Sequence, residues 1–205
     1  DKYAMLAQAC SLIGSTQIKN RATVGGNICN AAPSADSAPA LLCLDARVRL
    51  DCATGSRTIP AEDFFLAPGV TALCDNELLV DIQVPTPPAN SAGYYQRHTT
   101  REEMDIAVTG VGSFITLSPQ TGQLKTVRIA LGAVAATPIR AHRAEAILTG
   151  QTATPALIEK AAETAATEAK PISDIRGSAE YRRELVKVLT RRTLKACCGQ
   201  MGIAV

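Results

Sequence analysis

A chain of 205 residues with 46% hydrophobic and 20% charged side chains is long enough for one or two domains with a buried core. Its 21 basic and 19 acidic residues leave a formal charge of only +2, and 3% aromatic residues with no Trp exclude a chain-wide electrostatic footprint or stacking platform for nucleic acid. No apolar run approaches the ~20 residues of a membrane span, and the first residues do not read as an export signal.

The first predicted element is a helix over Tyr3–Ile13, with Met5, Leu6, Ala9, Cys10 and Ile13 at helical spacing and Gly14 as terminator. From Ser15 to Pro39 the chain is rich in Gly, Asn, Ser, Ala and Pro. That composition sustains no long regular element but suits a backbone that closely surrounds a ligand. Strands are predicted at Arg47–Cys52 and Leu78–Val84, with a short apolar segment, Ala61–Leu66, between them. Pro85, Pro87 and Pro88 mark a linker, Pro85 to Ser91, because proline removes donors and fixes extended or turn geometry. The expected domains are therefore 1–88 and 93–205.

In the second domain Ile106–Leu117 and Lys125–Val134 are β-rich and flank the turn sequence Ser118-Pro119-Gln120-Thr121-Gly122, predicting adjacent antiparallel strands. Helices are predicted over Arg140–Leu148, Pro155–Ala169 and Ala179–Gln200. The last carries Tyr181, Leu185, Val188 and Leu189 on one side. Arg176 to Lys195 holds seven basic residues (Arg176, Arg182, Arg183, Lys187, Arg191, Arg192, Lys195) against Glu180 and Glu184, which is either a solvated face or a docking surface for a partner.

The stretch with chemical content is Arg21-Ala22-Thr23-Val24-Gly25-Gly26-Asn27-Ile28-Cys29-Asn30-Ala31-Ala32-Pro33-Ser34-Ala35-Asp36. The two glycines allow positive φ and close approach of main-chain N–H groups to an anion, as a pyrophosphate nest requires. Thr23 and Asn27 add donors, and Asp36 is a carboxylate able to accept from sugar hydroxyls. The pattern is neither G-x-G-x-x-G nor G-x-x-x-x-G-K-[ST], so Rossmann and phosphate-loop readings are unsupported. His98 and His142 are the only histidines, too few for a conventional three- or four-ligand metal site. No Ser/His/Asp or Cys/His context appears. Seven cysteines without a C-x-x-C read as reduced thiols of a cytoplasmic protein.

The block Ile18 to Ser37 resembles the second FAD-binding motif of the flavoprotein subunits of molybdenum hydroxylases, the xanthine dehydrogenase and carbon monoxide dehydrogenase family. Later segments are similar to the family in the same order. Glu77 to Pro85 resembles the strand that closes the flavin domain. Tyr95-Gln96-Arg97-His98 with Arg101 and Asp105-Ile106-Ala107 resembles the opening of the C-terminal domain, and Ser178 to Arg183 the start of its last helix. The resemblance implies an α+β fold: the C-terminal portion of a vanillyl-alcohol-oxidase-type FAD-binding domain, then a small antiparallel sheet packed with helices. It implies FAD in this chain, with Thr23, Val24, Gly25, Gly26 and Asn27 on the pyrophosphate and Asp36 on the polyol. Ile13 and Leu79 would lie near the ring, and Arg97 would stand beside the isoalloxazine where the family often has a lysine. It implies no catalytic acid or base here, a large molybdenum-cofactor subunit, a small subunit with [2Fe–2S] clusters, and an external electron acceptor. The family's earlier glycine-rich motif is not in this sequence, so the resemblance implies a flavin domain without its N-terminal part. A subunit that has lost FAD and a self-contained FAD oxidase stand as alternatives.

Overall fold

The computed structural model describes residues 2–101 and 104–205. Helix α1 (Ala4–Ser11) ends before Gly14, whose φ of +55° turns the chain back, as the terminator predicts. The Gly/Asn/Ser/Pro-rich stretch folds into short helices, α2 (Thr16–Lys19) and α3 (Val24–Cys29), and leads into α4 (Ser37–Cys43). Every residue of α4 is buried. Ala31, at φ +46°, bends the chain between α3 and α4.

Strands β1 (Arg47–Cys52), β2 (Gly55–Pro60) and β5 (Leu78–Gln83) form an antiparallel sheet in the order β2-β1-β5. Val48 and Leu50 point inward from β1, as period-two alternation requires. Between β2 and β5 the predicted apolar segment becomes a 3₁₀ turn, Ala61–Phe64, followed by the hairpin β3 (Phe65–Ala67) and β4 (Val70–Thr71).

The second sheet is antiparallel in the order β6-β7-β8-β9, from β6 (Ser91–His98), β7 (Thr109–Leu117), β8 (Leu124–Gly132) and β9 (Ile139–Arg140). Helices α5 (His142–Leu148), α6 (Pro155–Glu168) and α7 (Ala179–Gln200) cover one of its faces. Val111, Ile115, Val127, Ile129 and Leu131 supply that core. The opposite face, with Tyr95, Phe114 and Ala130, belongs to the other core and carries α1 and α4. This sheet is thus the middle layer of the molecule. Glycine admits α4 to it: a methyl on Gly132 would lie 2.9 Å from Cγ of Pro39.

Helix α7 lies on the sheet one step around from the expected face. Its inward stripe is Arg182, Val186, Leu189, Thr193 and Cys197, whereas Tyr181 is exposed. The cause is Arg182, whose guanidinium caps the carbonyls of Val108 (2.8 Å) and Ala133 (3.1 Å) and pairs with Asp174 at 2.7 Å. Part of the basic face is used internally, because Lys187 pairs with Glu163 at 2.9 Å and Arg191 with Glu159 at 3.0 Å, both on α6.

Candidate functional site

Two neighbouring clefts open where α1, α2, α3 and the loop before β7 meet. The larger, about 530 Å³, is lined by Cys10, Ile13, Ile18, Lys19, Arg21, Ala22, Thr23, Val24, Gly26, Asn27 and Asn30. The smaller, about 230 Å³, shares Ile13, Ile18 and Asn27 with it and adds Ala35, Asp36, Arg97 and Ile106 among others. Of the predicted site residues, Ile13, Thr23, Val24, Gly26, Asn27, Asp36 and Arg97 line one or both clefts. Gly25 and Leu79 line neither. Leu79 on β5 lies beneath α3, and a methyl on Gly25 would come 3.5 Å from its Cδ2.

The glycines do not work as the positive-φ nest expected of them. Both lie in α3, and neither has positive φ. Thr23 is the N-cap, its Oγ1 accepting from the N–H of Gly26 at 2.9 Å, while the N–H groups of Val24 and Gly25 are first-turn donors without intrahelical partners. What Gly26 supplies is space, since a methyl there would sit 3.1 Å from Thr23 Oγ1. The hydroxyl of Ser37 donates to Asn27 Oδ1 at 2.6 Å, which turns the Asn27 amide nitrogen towards further acceptors. Lys19 and Arg21 add two cations to the larger cleft, although Lys19 Nζ also donates to the carbonyl of Ser11 at 2.6 Å.

At the other end Asp36 is 6% exposed and both of its oxygens are engaged. Oδ1 accepts from the Tyr95 hydroxyl at 2.7 Å and Oδ2 from Arg97 Nη1 at 2.5 Å. Burial raises the Asp36 carboxyl above its ordinary value, and the Tyr95 hydrogen bond and the Arg97 charge oppose that rise. Burial pushes the Tyr95 phenol well up, and the Asp36 charge adds to it. Cys10 is raised by burial and by the same carboxylate, so it is a poor nucleophile in this state.

Sequence reasoning missed Lys19, Arg21, Asn30, Tyr95 and Ile106 as parts of the site. Two signals were available. The basic pair immediately precedes T-x-G-G-N, and Tyr95 stands two residues before Arg97, which on a strand puts both on one face. Among the described residues no group of three or more His, Cys, Asp or Glu could hold a metal ion. No helix among them is long and apolar enough to cross a membrane.

Comparison with known proteins gives this geometry its context. Residues 1–87 match the FAD binding domain in molybdopterin dehydrogenase, and residues 94–197 match the CO dehydrogenase flavoprotein C-terminal domain. The chain is 33% identical over 198 residues to the xanthine dehydrogenase FAD-binding subunit of Escherichia coli O157:H7, covering 96% of this chain and 67% of that one. It is 36% identical over 190 residues to the nicotine 6-hydroxylase medium subunit of Paenarthrobacter nicotinovorans, covering 93% and 65%. A solved carbon monoxide dehydrogenase of Hydrogenophaga pseudoflava superposes with a TM-score of 0.91 at 34% identity, over 96% of this chain and 67% of that chain. The chain therefore spans about two thirds of the length of these relatives. With both halves matched in order, and the clefts built from the T-x-G-G-N segment and Asp36, the chain belongs to the FAD-binding medium subunits of the molybdenum hydroxylases, the family of the xanthine and carbon monoxide dehydrogenases.

Proposed function

We propose that this chain holds FAD across the paired clefts and relays electrons from [2Fe–2S] clusters in a small partner subunit to an external acceptor. The substrate would be oxidised at a molybdenum cofactor in a large partner subunit. The observation that carries the reading is the division of chemistry between two adjoining clefts that share Ile13, Ile18 and Asn27. One end offers Lys19, Arg21, Asn27, Asn30 and the first turn of α3, a set of donors suited to a pyrophosphate. The other end offers Ile13, Ile106 and the Asp36–Arg97 pair, suited to an apolar ring with polar edges. The space kept open by Gly26 fits close approach of a phosphate. In this arrangement residues 1–88 belong to a vanillyl-alcohol-oxidase-type flavin domain, and residues 93–205 to a second domain.

FAD, when bound, supplies reversible electron storage at its isoalloxazine. This chain's residues bind and tune. Thr23 holds α3 in register, and Val24, Gly25, Gly26 and Asn27 present the pyrophosphate side. Asp36 keeps a second lone pair on each oxygen for the polyol hydroxyls. Leu79 backs Gly25, and Ile13 forms the apolar wall. Arg97 places a cation at the ring, which favours the electron-rich form. A further cavity of about 590 Å³ adjoins the smaller cleft through Ser34, Ile106 and Ala107, and it is the route by which an acceptor reaches the ring.

The test is a redox titration of the assembled complex carrying Arg97→Gln at full FAD occupancy. One charge about 5 Å away at an effective dielectric of ~20 is worth roughly 3 kcal/mol before relaxation. Pairing with Asp36 and solvent response reduce this to about 1 kcal/mol, a fall of roughly 20 mV for a two-electron couple. An assembled complex without flavin absorption points instead to a structural subunit. Substrate turnover by this chain without partners points to a self-contained oxidase.

A further inference from the structure

Tyr95 is 1% exposed, and its hydroxyl ends on the carboxylate that holds Arg97. Its place is prepared by the neighbouring strand. Tyr95 and Arg97 lie on one face of β6, and their cross-strand partners on β7 are Gly112 and Gly110. A methyl on Gly110 would collide with the Tyr95 hydroxyl. Glycine in the middle of a strand costs conformational entropy and packs nothing of its own. Its presence here makes room for the phenol head.

A carboxylate facing an arginine prefers to offer both oxygens to the planar fork. Asp36 does not, because Tyr95 takes Oδ1 and leaves only Oδ2 for Nη1 of Arg97. The contact with Arg97 is one-armed, and the rest of the guanidinium stays at the wall of the smaller cleft, with its side chain 8% exposed. We infer that Tyr95 is a positioning residue for the flavin site: by occupying one oxygen of Asp36 it keeps Arg97 from a two-armed pair and so fixes the cation against the ring. The inference rests on the assignment of the smaller cleft to the isoalloxazine. Tyr95 touches neither ring nor acceptor. It acts through Asp36 on Arg97.

The experiment uses the assembled holoenzyme in four forms: wild type, Tyr95→Phe, Arg97→Gln and the double variant, each at full FAD occupancy. The readout is the flavin potential. Tyr95→Phe keeps the ring and removes the hydroxyl, freeing Oδ1 to draw Arg97 away. It should lower the reduced-to-oxidised ratio at a fixed potential about fivefold, roughly 20 mV for a two-electron couple. The double variant should match Arg97→Gln alone, because both changes remove the same cation from the ring. A shift in Arg97→Gln with none in Tyr95→Phe, or two shifts that add, overturns the role of Tyr95 while leaving Arg97 at the ring. No shift in Arg97→Gln overturns the assignment of the cleft and the inference with it. If Tyr95→Phe fails to assemble, Gly110→Ala displaces the hydroxyl with the tyrosine retained. A lowered potential there supports the inference, and lost thermal stability at an unchanged potential reduces Tyr95 to a packing role.

Discussion

At the scale of single residues the motif was legible, but its mechanics were not. Thr23, Gly26 and Asn27 stood out as a T-x-G-G-N segment within a block that resembles a known flavin motif, yet the glycines were expected to turn the backbone and instead lie in a helix. A run of six residues with two glycines has too little helical propensity to announce itself. The helix exists because Thr23 caps it, Ile28 is fully buried and β5 lies against it. That changes the reason for a prediction about Gly26→Val. Backbone conformation permits valine there, but the branched side chain meets Thr23 Oγ1 and fills the phosphate side of the cleft. The variant should lose flavin absorption in the purified complex and about 1 kcal/mol of stability from the disturbed cap, with the second sheet intact by circular dichroism. Another residue-scale expectation follows from Glu77, whose carboxyl is held down at about 2 by the Arg57 guanidinium and by the N–H of Cys74. A depressed carboxyl stabilises the fold above its unfolded value and loses that contribution as pH falls through the folded one. Glu77→Gln should therefore lower the Tm at pH 7, and the gap to wild type should close as thermal scans approach pH 2.

At the scale of elements, strong periodicity was read correctly and weak periodicity was not. The helix over Ala179–Gln200 was placed to the residue, and β1 was placed from its alternation. Strand β6 went unpredicted because Ser-Ala-Gly-Tyr-Tyr-Gln-Arg-His alternates poorly, its polar members being satisfied by Asp36 and Tyr181 rather than by water. Helix α4 was missed because a proline and the preceding Ser/Pro-rich stretch mask a segment buried on all sides. The start of β7 fell three residues inside the predicted strand, since Ile106, Ala107 and Val108 form the loop that walls the smaller cleft. For α7, sequence marked a basic face but could not show that Arg182 points inward. Arg182→Met should cost roughly 3 kcal/mol, because the carbonyls of Val108 and Ala133 lose their donor in a dry setting; chemical denaturation measures it. Lys187→Ala and Arg191→Ala should barely move the Tm, as expected for solvent-facing pairs.

At the scale of the whole molecule, the two matched regions meet in one sheet, whose faces serve two cores. Calorimetry of the intact chain should then show a single transition, with calorimetric and van't Hoff enthalpies equal; two resolved peaks would mean that the cores melt apart. Gly132→Ala should lower that transition, because the added methyl meets the ring of Pro39 on the buried helix α4. It should also weaken flavin retention, since Asp36 immediately precedes α4. The sheet's glycines have a consequence for anyone who cuts the chain at its proline linker. A recombinant piece beginning at residue 93 would keep its helical side covered but bare a slot normally filled by Met5, Pro39 and Cys43, with Phe114 at its edge. Such a piece should stick to its own kind, self-associating in light scattering and binding hydrophobic dyes. The boundary between the two matched regions is therefore no place to cut the chain, because the second sheet serves both cores.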